Sequence, residues 1–298
     1  MQNTVAFLTT DDLSGFVTDD ELARAPLARR GFGIEFVPWR ASGDWSRYDA
    51  VIVRSTWDYQ DDPDAFAAAL AAIDASSTRL ANDLCVMRWN MTKTYLLDLA
   101  REGTPIPRSV WCDGLAADDV PRLFTELGVP EIVIKPVVGA NADDTYRLTR
   151  AAAAALADEL GERFRRRRCI VQPFLSNVVE EGEYSVMLFG GEPSHTILKT
   201  PRAGDFRVQE EHGGIIRAVV PDPALVARAV RALDVVAPTP LYARADFVRV
   251  GDDYLLMELE LIEPALYLRM DASAPERFAD AVIAWMRAEP VAAVQRTR

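Results

Sequence analysis

Between positions 241 and 264 the chain reads LYARADFVRVGDDYLLMELELIEP, and four of its side chains, Arg244, Asp246, Glu258 and Glu260, are of the types that hold divalent cations and phosphates. Two apolar, β-prone runs flank a Gly-Asp-Asp turn, which is the signal of a β-hairpin. Strand side chains alternate between faces, so Arg244, Asp246 and Val248 share one face. Glu258 and Glu260 share a face of the second strand, and Met257, Leu259 and Leu261 form the opposite one. A three-residue loop of Gly251, Asp252 and Asp253 would set Asp246 against Glu258 and Arg244 against Glu260. Like charges so opposed stand roughly 5 Å apart and destabilise the pair, so a positive group must compensate. A hard cation such as Mg²⁺, held by one or two carboxylates plus phosphates, suits that arrangement. A solvated acidic face balanced by Arg244 alone is the other reading of the same residues.

Further candidates lie upstream. Lys135 ends a short strand, EIVIKP, and the small residues that follow it around Gly139 let backbone amides approach a phosphate. Lys93 sits near the start of a helical segment spanning 87–103, where a helix N-terminus favours anions, although a lone lysine there is as readily surface decoration. The strand RCIVQPFL carries Gln172, Pro173, Phe174 and Leu175, and an acidic stretch with Glu180 and Glu183 follows it. Lys199 leads into TPRAGDFRVQEEHGG, a long polar loop with Arg202, Arg207, His212, Gly213 and Gly214, and loops of that length in compact domains are usually functional. His212 could act as a general base. Without a partner visible in the sequence, it reads as a positioning residue.

The elements that must carry these groups begin with strands near 5–8, 34–37 and 48–53, interleaved with helices near 19–30 and 64–76. That alternation implies a parallel sheet with crossover helices. Ligands of such sheets bind beyond the carboxyl ends of the strands, where Arg54 and Asp58 fall. Arg54 has the planar fork that suits a substrate carboxylate, and an ion pair with Asp58 is its alternative. A second hairpin turns at Gly190 and Gly191, and amphipathic helices are expected at 224–233 and 275–288. The resulting division is 1–85, 86–178 and 179–298.

Composition narrows the function classes. A chain of 298 residues suggests two or three units with sizeable cores. A net charge of −12 argues against a nucleic-acid partner in spite of the arginine run at 165–168, which reads as a solvated helix end. No apolar run approaches the ~20 residues that span a bilayer, and the N-terminus lacks signal-peptide features. The expected location is cytoplasmic, away from membranes. Cys85, Cys112 and Cys169 are far apart, odd in number and without metal-ligand spacing, and read as buried thiols in a reducing compartment.

The order of strand lysine, small-residue loop, QPF strand, acidic linker, basic loop, RADFV and MELELIEP resembles the ATP-grasp superfamily of carboxylate-amine ligases. The resemblance covers about residues 86–290 and implies an α/β chain in which a Rossmann-like parallel-sheet domain precedes an ATP-grasp fold. It further implies that Asp246, Glu258 and Glu260 hold Mg²⁺ on the phosphates of ATP, Glu260 standing where the family usually has Asn. Lys93 and Lys135 would contact those phosphates, with the Gly139 loop folded over them. The segment Gln172, Pro173, Phe174, Leu175 would border the adenine, and Glu180 or Glu183 would take the ribose hydroxyls. Lys199, Arg202 and Arg207 would lie over the γ-phosphate and acyl group, making them, with Arg244, the candidate catalytic cations. Arg54, Asp58, His212, Gly213 and Gly214 are the candidate contacts to a small amino-acid-like substrate.

Within the superfamily, the runs WDYQDDPDAF, RWNMTKTYLLDL, GDFRVQEEHGG and MELELIEP look most similar to the cyclo-ligases that close O-ureido-D-serine to D-cycloserine. The activity so implied is phosphorylation of a carboxylate by ATP and attack of a nitrogen on the acyl phosphate. An intermolecular ligase and a non-catalytic ATP-binding module are the rivals, and self-association into a homo-oligomer stays open.

Overall fold

A computed structural model of the chain describes residues 3–139 and 142–289. The N-terminal strands β1 (Asn3–Thr9), β2 (Phe32–Pro38), β3 (Ala50–Ser55) and β4 (Arg79–Ala81) form a parallel sheet in the order β2-β1-β3-β4. β1 and β3 are apolar on both faces because both are covered, as central parallel strands require. The helix Pro63–Asp74 starts where Asp62 accepts from the amide of Ala65, a side-chain cap on an otherwise unsatisfied N–H.

Strands β5 (Val110–Cys112), β6 (Glu131–Pro136), β7 (Tyr146–Thr149) and β8 (Cys169–Pro173) make a second, antiparallel sheet in the order β5-β8-β6-β7. A third, also antiparallel, contains β9 (Glu183–Phe189), β10 (Glu192–Thr200), β11 (Ile215–Ala218), β12 (Tyr242–Val250) and β13 (Asp253–Glu260), in the order β11-β10-β9-β12-β13.

The cores explain how these sheets are joined. One apolar cluster runs from Phe7 and Ile52 of the first sheet through Met187 and Tyr242 of the third to Phe278 and Val282 of the helix Ala274–Arg287. The second sheet packs its apolar face on its own helices, Val120–Leu127 and Ala157–Phe164, in a cluster that draws on no strand of the other two sheets. The first and third sheets therefore share a core, while the second keeps a core of its own on one face and meets the third through Ile170 and Trp111 beside the cleft. Of the three thiols expected to be buried, Cys169 is, Cys112 is half-buried and Cys85 is exposed at the start of the helix Leu84–Asn90.

The β12–β13 hairpin departs from the expected geometry in an instructive way. Val250 pairs with Asp253, so the loop has two residues, and Gly251 takes φ +61° at its first position as a type II′ turn requires. The expectation of a three-residue loop fails. A bulge between Asp246 and Phe247 absorbs the difference, so Asp246 still opposes Glu258 and Arg244 still opposes Glu260. The extra residue is Met257. It leaves the apolar face formed by Tyr254, Leu256, Leu259 and Leu261 and packs in the cleft with Leu175, Val178, Val208 and Val248.

The helix expected over 87–103 is two helices, Leu84–Asn90 and Tyr95–Arg101. The break has a tertiary cause. Asn90 donates to the carbonyl of Leu259 at 2.8 Å and accepts from the amide of Leu261 at 2.9 Å, while the Tyr95 hydroxyl accepts from the amide of Leu259 at 2.9 Å. These side chains satisfy the edge of β13, which among the described residues no further strand covers.

Candidate active site

The break between the two helices carries Lys93 over the cleft. Its amide donates to the carbonyl of Val137 at 2.8 Å, which ties it beside the end of β6, where Lys135 projects into the same space. The Lys93 ammonium bonds the carboxylate of Glu258 on β13. Burial alone would pull Lys93 down, but Glu258 outweighs it and the net shift is upward. Lys135 has no such partner among the described residues. Burial first, and the charge of Lys93 second, hold it down at about 8. One lysine is thus paired within the protein, and the other, among the described residues, is not.

The opposite wall is the acidic face of β12 and β13 with β9 and β10. Lys199, buried on β10, bridges Glu183 at 2.6 Å and Asp246 at 3.1 Å, and burial is outweighed so that its net shift is upward. Arg244 bonds Asp246 at 3.0 Å and also the carboxylate of Glu260. Asp246 is only 2% exposed and lies behind the cleft surface, its two oxygens taken by these cations, which hold it well below the usual carboxylate range against the opposing effect of burial. Glu258 and Glu260 face the open cleft. Burial, reinforced by Glu258 and Asp246, pushes Glu260 up to about 7 in spite of Arg244.

This donor set suits Mg²⁺. The wall carries carboxylates in excess of the cations paired with them, which adds to the effect of burial on Glu260. Among the described residues no group of three or more acidic, histidine or cysteine side chains converges tightly enough to hold an ion unaided. A metal bound by one or two carboxylates and completed by phosphate oxygens needs no more than this.

The cleft has a volume of about 220 Å³, and it is apolar at one end and charged at the other. Gln172, Pro173, Phe174 and Leu175 line the apolar end with Val133 and Met257, Gln172 being fixed by a 2.9 Å bond to Ser109. Gly139 lines it too, and a Cβ there would lie 2.9 Å from Pro136. The next two residues of that loop fall outside the described ones. Of the two glutamates proposed for ribose, Glu183 lines the cleft while Glu180 is exposed on the short helix Asn177–Glu180 outside it. Lys199, Arg207 and Arg244 line the cleft as well, and Asp205 grips Arg207 at 2.8 Å.

Other expected contacts are elsewhere. Arg54 is 1% exposed and bonds Asp20 at 2.9 Å and the carbonyl of Pro264 at 2.9 Å, so it neither faces a substrate nor pairs with Asp58. Asp58 accepts from the indole of Trp39 at 2.7 Å and is bonded by Arg40. Arg202 is exposed, 3.7 Å from Asp205, and does not line the cleft. His212, Gly213 and Gly214 also lie off the lining. The two glycines have a conformational role: Gly213 takes φ +82°, and a Cβ on Gly214 would stand 2.0 Å from the carbonyl oxygen of Val208. Residues that the sequence reading did not single out complete the walls, chiefly Trp57, Tyr59, Gln209, Tyr267 and Glu263. Glu263 is raised to about 8 by burial, then by Glu260 and Glu258.

A cleft between two antiparallel sheets, with lysines from one wall facing strand-borne carboxylates on the other, is the arrangement of an ATP-grasp fold. Residues 117–231 match the ATP-grasp domain of prokaryotic glutathione synthetase, and residues 5–82 match the N-terminal domain of D-cycloserine synthetase DcsG. The chain is 31% identical to the cycloserine biosynthesis protein DcsG of Streptomyces lavendulae in a 269-residue alignment that covers 85% of this chain and 88% of that protein. It therefore belongs to the DcsG family of ATP-grasp ligases. The crystal structure of D-cycloserine synthetase DcsG superposes with a TM-score of 0.83 at 26% identity, covering 96% of this chain and all of the other. ATP-grasp ligase PsnB, complexed with a precursor variant, Mg and ADP, has a TM-score of 0.66 at 19% identity over 96% of this chain and 100% of its own, a likeness of fold. Among the described residues, no helix is long and apolar enough to cross a membrane.

Proposed function

We propose that this protein couples ATP to closure of an amino-acid carboxylate onto a nitrogen of the same molecule, with O-ureido-D-serine as substrate and the D-cycloserine ring as product. The observation that carries this reading is the meeting of Lys93, Lys135, Lys199 and Arg244 with Glu258 and Glu260 at one end of a single cleft, in a chain whose N-terminal domain is of the DcsG kind.

In this reading the adenine lies in the apolar end, between Phe174, Leu175 and Met257, with Glu183 toward the ribose. Lys135 takes a phosphate directly, having no protein anion to leave. Lys93 remains on Glu258 and presents its remaining protons to the same phosphates. Mg²⁺, held by Glu258 and Glu260 with Asp246 behind them, would neutralise charge on the phosphates. A substrate carboxylate oxygen attacks the γ-phosphorus, ADP departs, and an acyl phosphate forms. Arg244 and Lys199, both fixed by Asp246, and Arg207, fixed by Asp205, supply positive charge around the transferring group without having to reorganise. The substrate nitrogen then attacks the acyl carbon and gives up its proton as phosphate leaves, and water removes the carbamoyl group still on that nitrogen as carbon dioxide and ammonia to give D-cycloserine. Because nucleophile and electrophile belong to one molecule, the protein's main task is to hold a folded conformer.

The test is mass spectrometry of the protein incubated with Mg²⁺-ATP and O-ureido-D-serine. Cycloserine and ADP should appear together and only with substrate present. ADP that forms only when a second amine is added would replace cyclisation by intermolecular ligation.

A further inference from the structure

The chain leaves β13 at Glu260 and reaches the N-terminal sheet at Glu263 and Pro264. The carbonyl of Glu263 accepts from the Trp57 indole at 2.8 Å, and the carbonyl of Pro264 accepts from the buried Arg54 at 2.9 Å. Both donors come from the end of β3 and the loop after it, so the N-terminal domain fixes this backbone. The Glu263 side chain lines the cleft with Trp57 and Tyr59.

Its neighbours all have cations. Glu258 has Lys93, Glu260 has Arg244, Asp246 has Arg244 and Lys199, and Glu183 has Lys199. Glu263 has no ion-pair partner among the described residues. Arg54, whose guanidinium reaches the carbonyl of the next residue, is itself held by Asp20. Glu263 is half-buried on the cleft wall beside other carboxylates, and it keeps a negative charge there readily only when a positive group meets it. With no ion pair from the protein among the described residues, that place is open to a positive group of a ligand, close to a reacting carboxylate placed near Arg244.

We propose that Glu263 binds the α-ammonium of the substrate and makes the cleft selective for free α-amino acids over their des-amino counterparts. The inference deepens the proposed function and rests on it for the position of the reacting carboxylate. Trp57 and Tyr59 wall the same corner with aromatic surface, which limits water access to the pair.

The experiment compares wild type, Glu263→Gln and Glu263→Asp, using the full chain with Mg²⁺-ATP. The probes are O-ureido-D-serine and its des-amino counterpart, 3-(ureidooxy)propanoic acid. A charge-assisted bond in a dry site leads us to expect a KM for the amino acid raised about 10- to 100-fold in Glu263→Gln, with a smaller change in kcat and the KM for ATP within about twofold. Glu263→Asp should fall between the two, and the preference for the amino compound should collapse only in the Gln variant. An unchanged preference overturns the inference. So does a loss confined to kcat, which would make Glu263 a proton acceptor, or a raised Mg²⁺ requirement with unaltered amino-acid KM, which would put it in the metal site. If wild type releases no ADP with O-ureido-D-serine, the proposed function fails by itself. Calorimetric binding of free α-amino acids and matched des-amino acids, with Mg²⁺ and a non-hydrolysable ATP analogue, then decides Glu263: a preference for the amino forms that Glu263→Gln abolishes sustains it, and no preference overturns it.

Discussion

Replacing Arg54 by Met separates a substrate clamp from a structural brace. The guanidinium is buried between the two domains that share a core, with Nε on Asp20, Nη2 on the carbonyl of Pro264 and its carbon 5.0 Å from the centre of the Tyr242 ring. Met fills much of the same volume and removes the charge. Asp20, 4% exposed, would keep only the hydroxyl of Ser55, at 2.9 Å, as a donor. Removing one partner of a buried ion pair costs about 3–5 kcal/mol. The stranded carbonyl of Pro264 adds about 1–3 kcal/mol. Because these costs overlap at one site, we expect a total of about 4–6 kcal/mol. At roughly 2–4 °C per kcal/mol for a chain of this size, the melting temperature should fall by about 10–20 °C. Adding Asp20→Asn should recover part of the loss by removing the uncompensated charge. Scanning calorimetry gives the stability, and ADP release at a temperature where both proteins are folded gives the kinetics, in which the KM for ATP should stay within about threefold. A variant that melts within about 2 °C of wild type while its carboxylate KM rises more than about tenfold would refute the brace and restore the clamp.

Two other perturbations read the cleft. Lys135 is held at about 8, below the ordinary 10.5, so in the free protein it loses its charge as pH rises through 8. ATP should then bind about tenfold more weakly at pH 9 than at pH 7, and binding at pH 8 should take up about half a proton, seen as a buffer-dependent heat that Lys135→Met abolishes. The sign for stability is the reverse: the unfolded chain holds that proton more tightly, so this residue makes the free protein more stable as pH climbs from about 8 to 10.5. Absence of proton uptake would remove Lys135 from the phosphate site. For the basic loop, Arg207→Ala should raise the carboxylate KM about tenfold, whereas the exposed Arg202→Ala should alter steady-state kinetics less than about twofold. Equal losses in both variants would mean that the whole loop folds onto the substrate.

What the sequence disclosed and what it withheld divide along the range of the interactions involved. Alternation along a strand is local, so the acidic face of β13 and its pairing with β12 could be read from residue order. The two-residue turn and the bulge at Met257 could not, because either loop length is compatible with Gly-Asp-Asp and only cleft packing decides which residue is extruded. Their errors cancel at Asp246 and Glu258, so the register there came out right although the loop was wrong. The break before Lys93 was hidden for a similar reason. Leu96, Leu97 and Leu99 continue an apolar helical pattern, whereas Asn90 and Tyr95 end it by bonding the edge of β13, more than 160 residues away. Arg54 illustrates the general case. Its position at the carboxyl end of a parallel strand was legible, but its partners were not: Asp20 lies 34 residues before it and Pro264 lies 210 after. An arginine's chemistry is visible in one letter, yet whether that chemistry faces a ligand or braces two domains depends on which carboxylate or carbonyl the folded chain delivers to it. Glu263 is the converse, a plain residue in an acidic run until the fold shows that the carboxylates around it are ion-paired while, among the described residues, it is not.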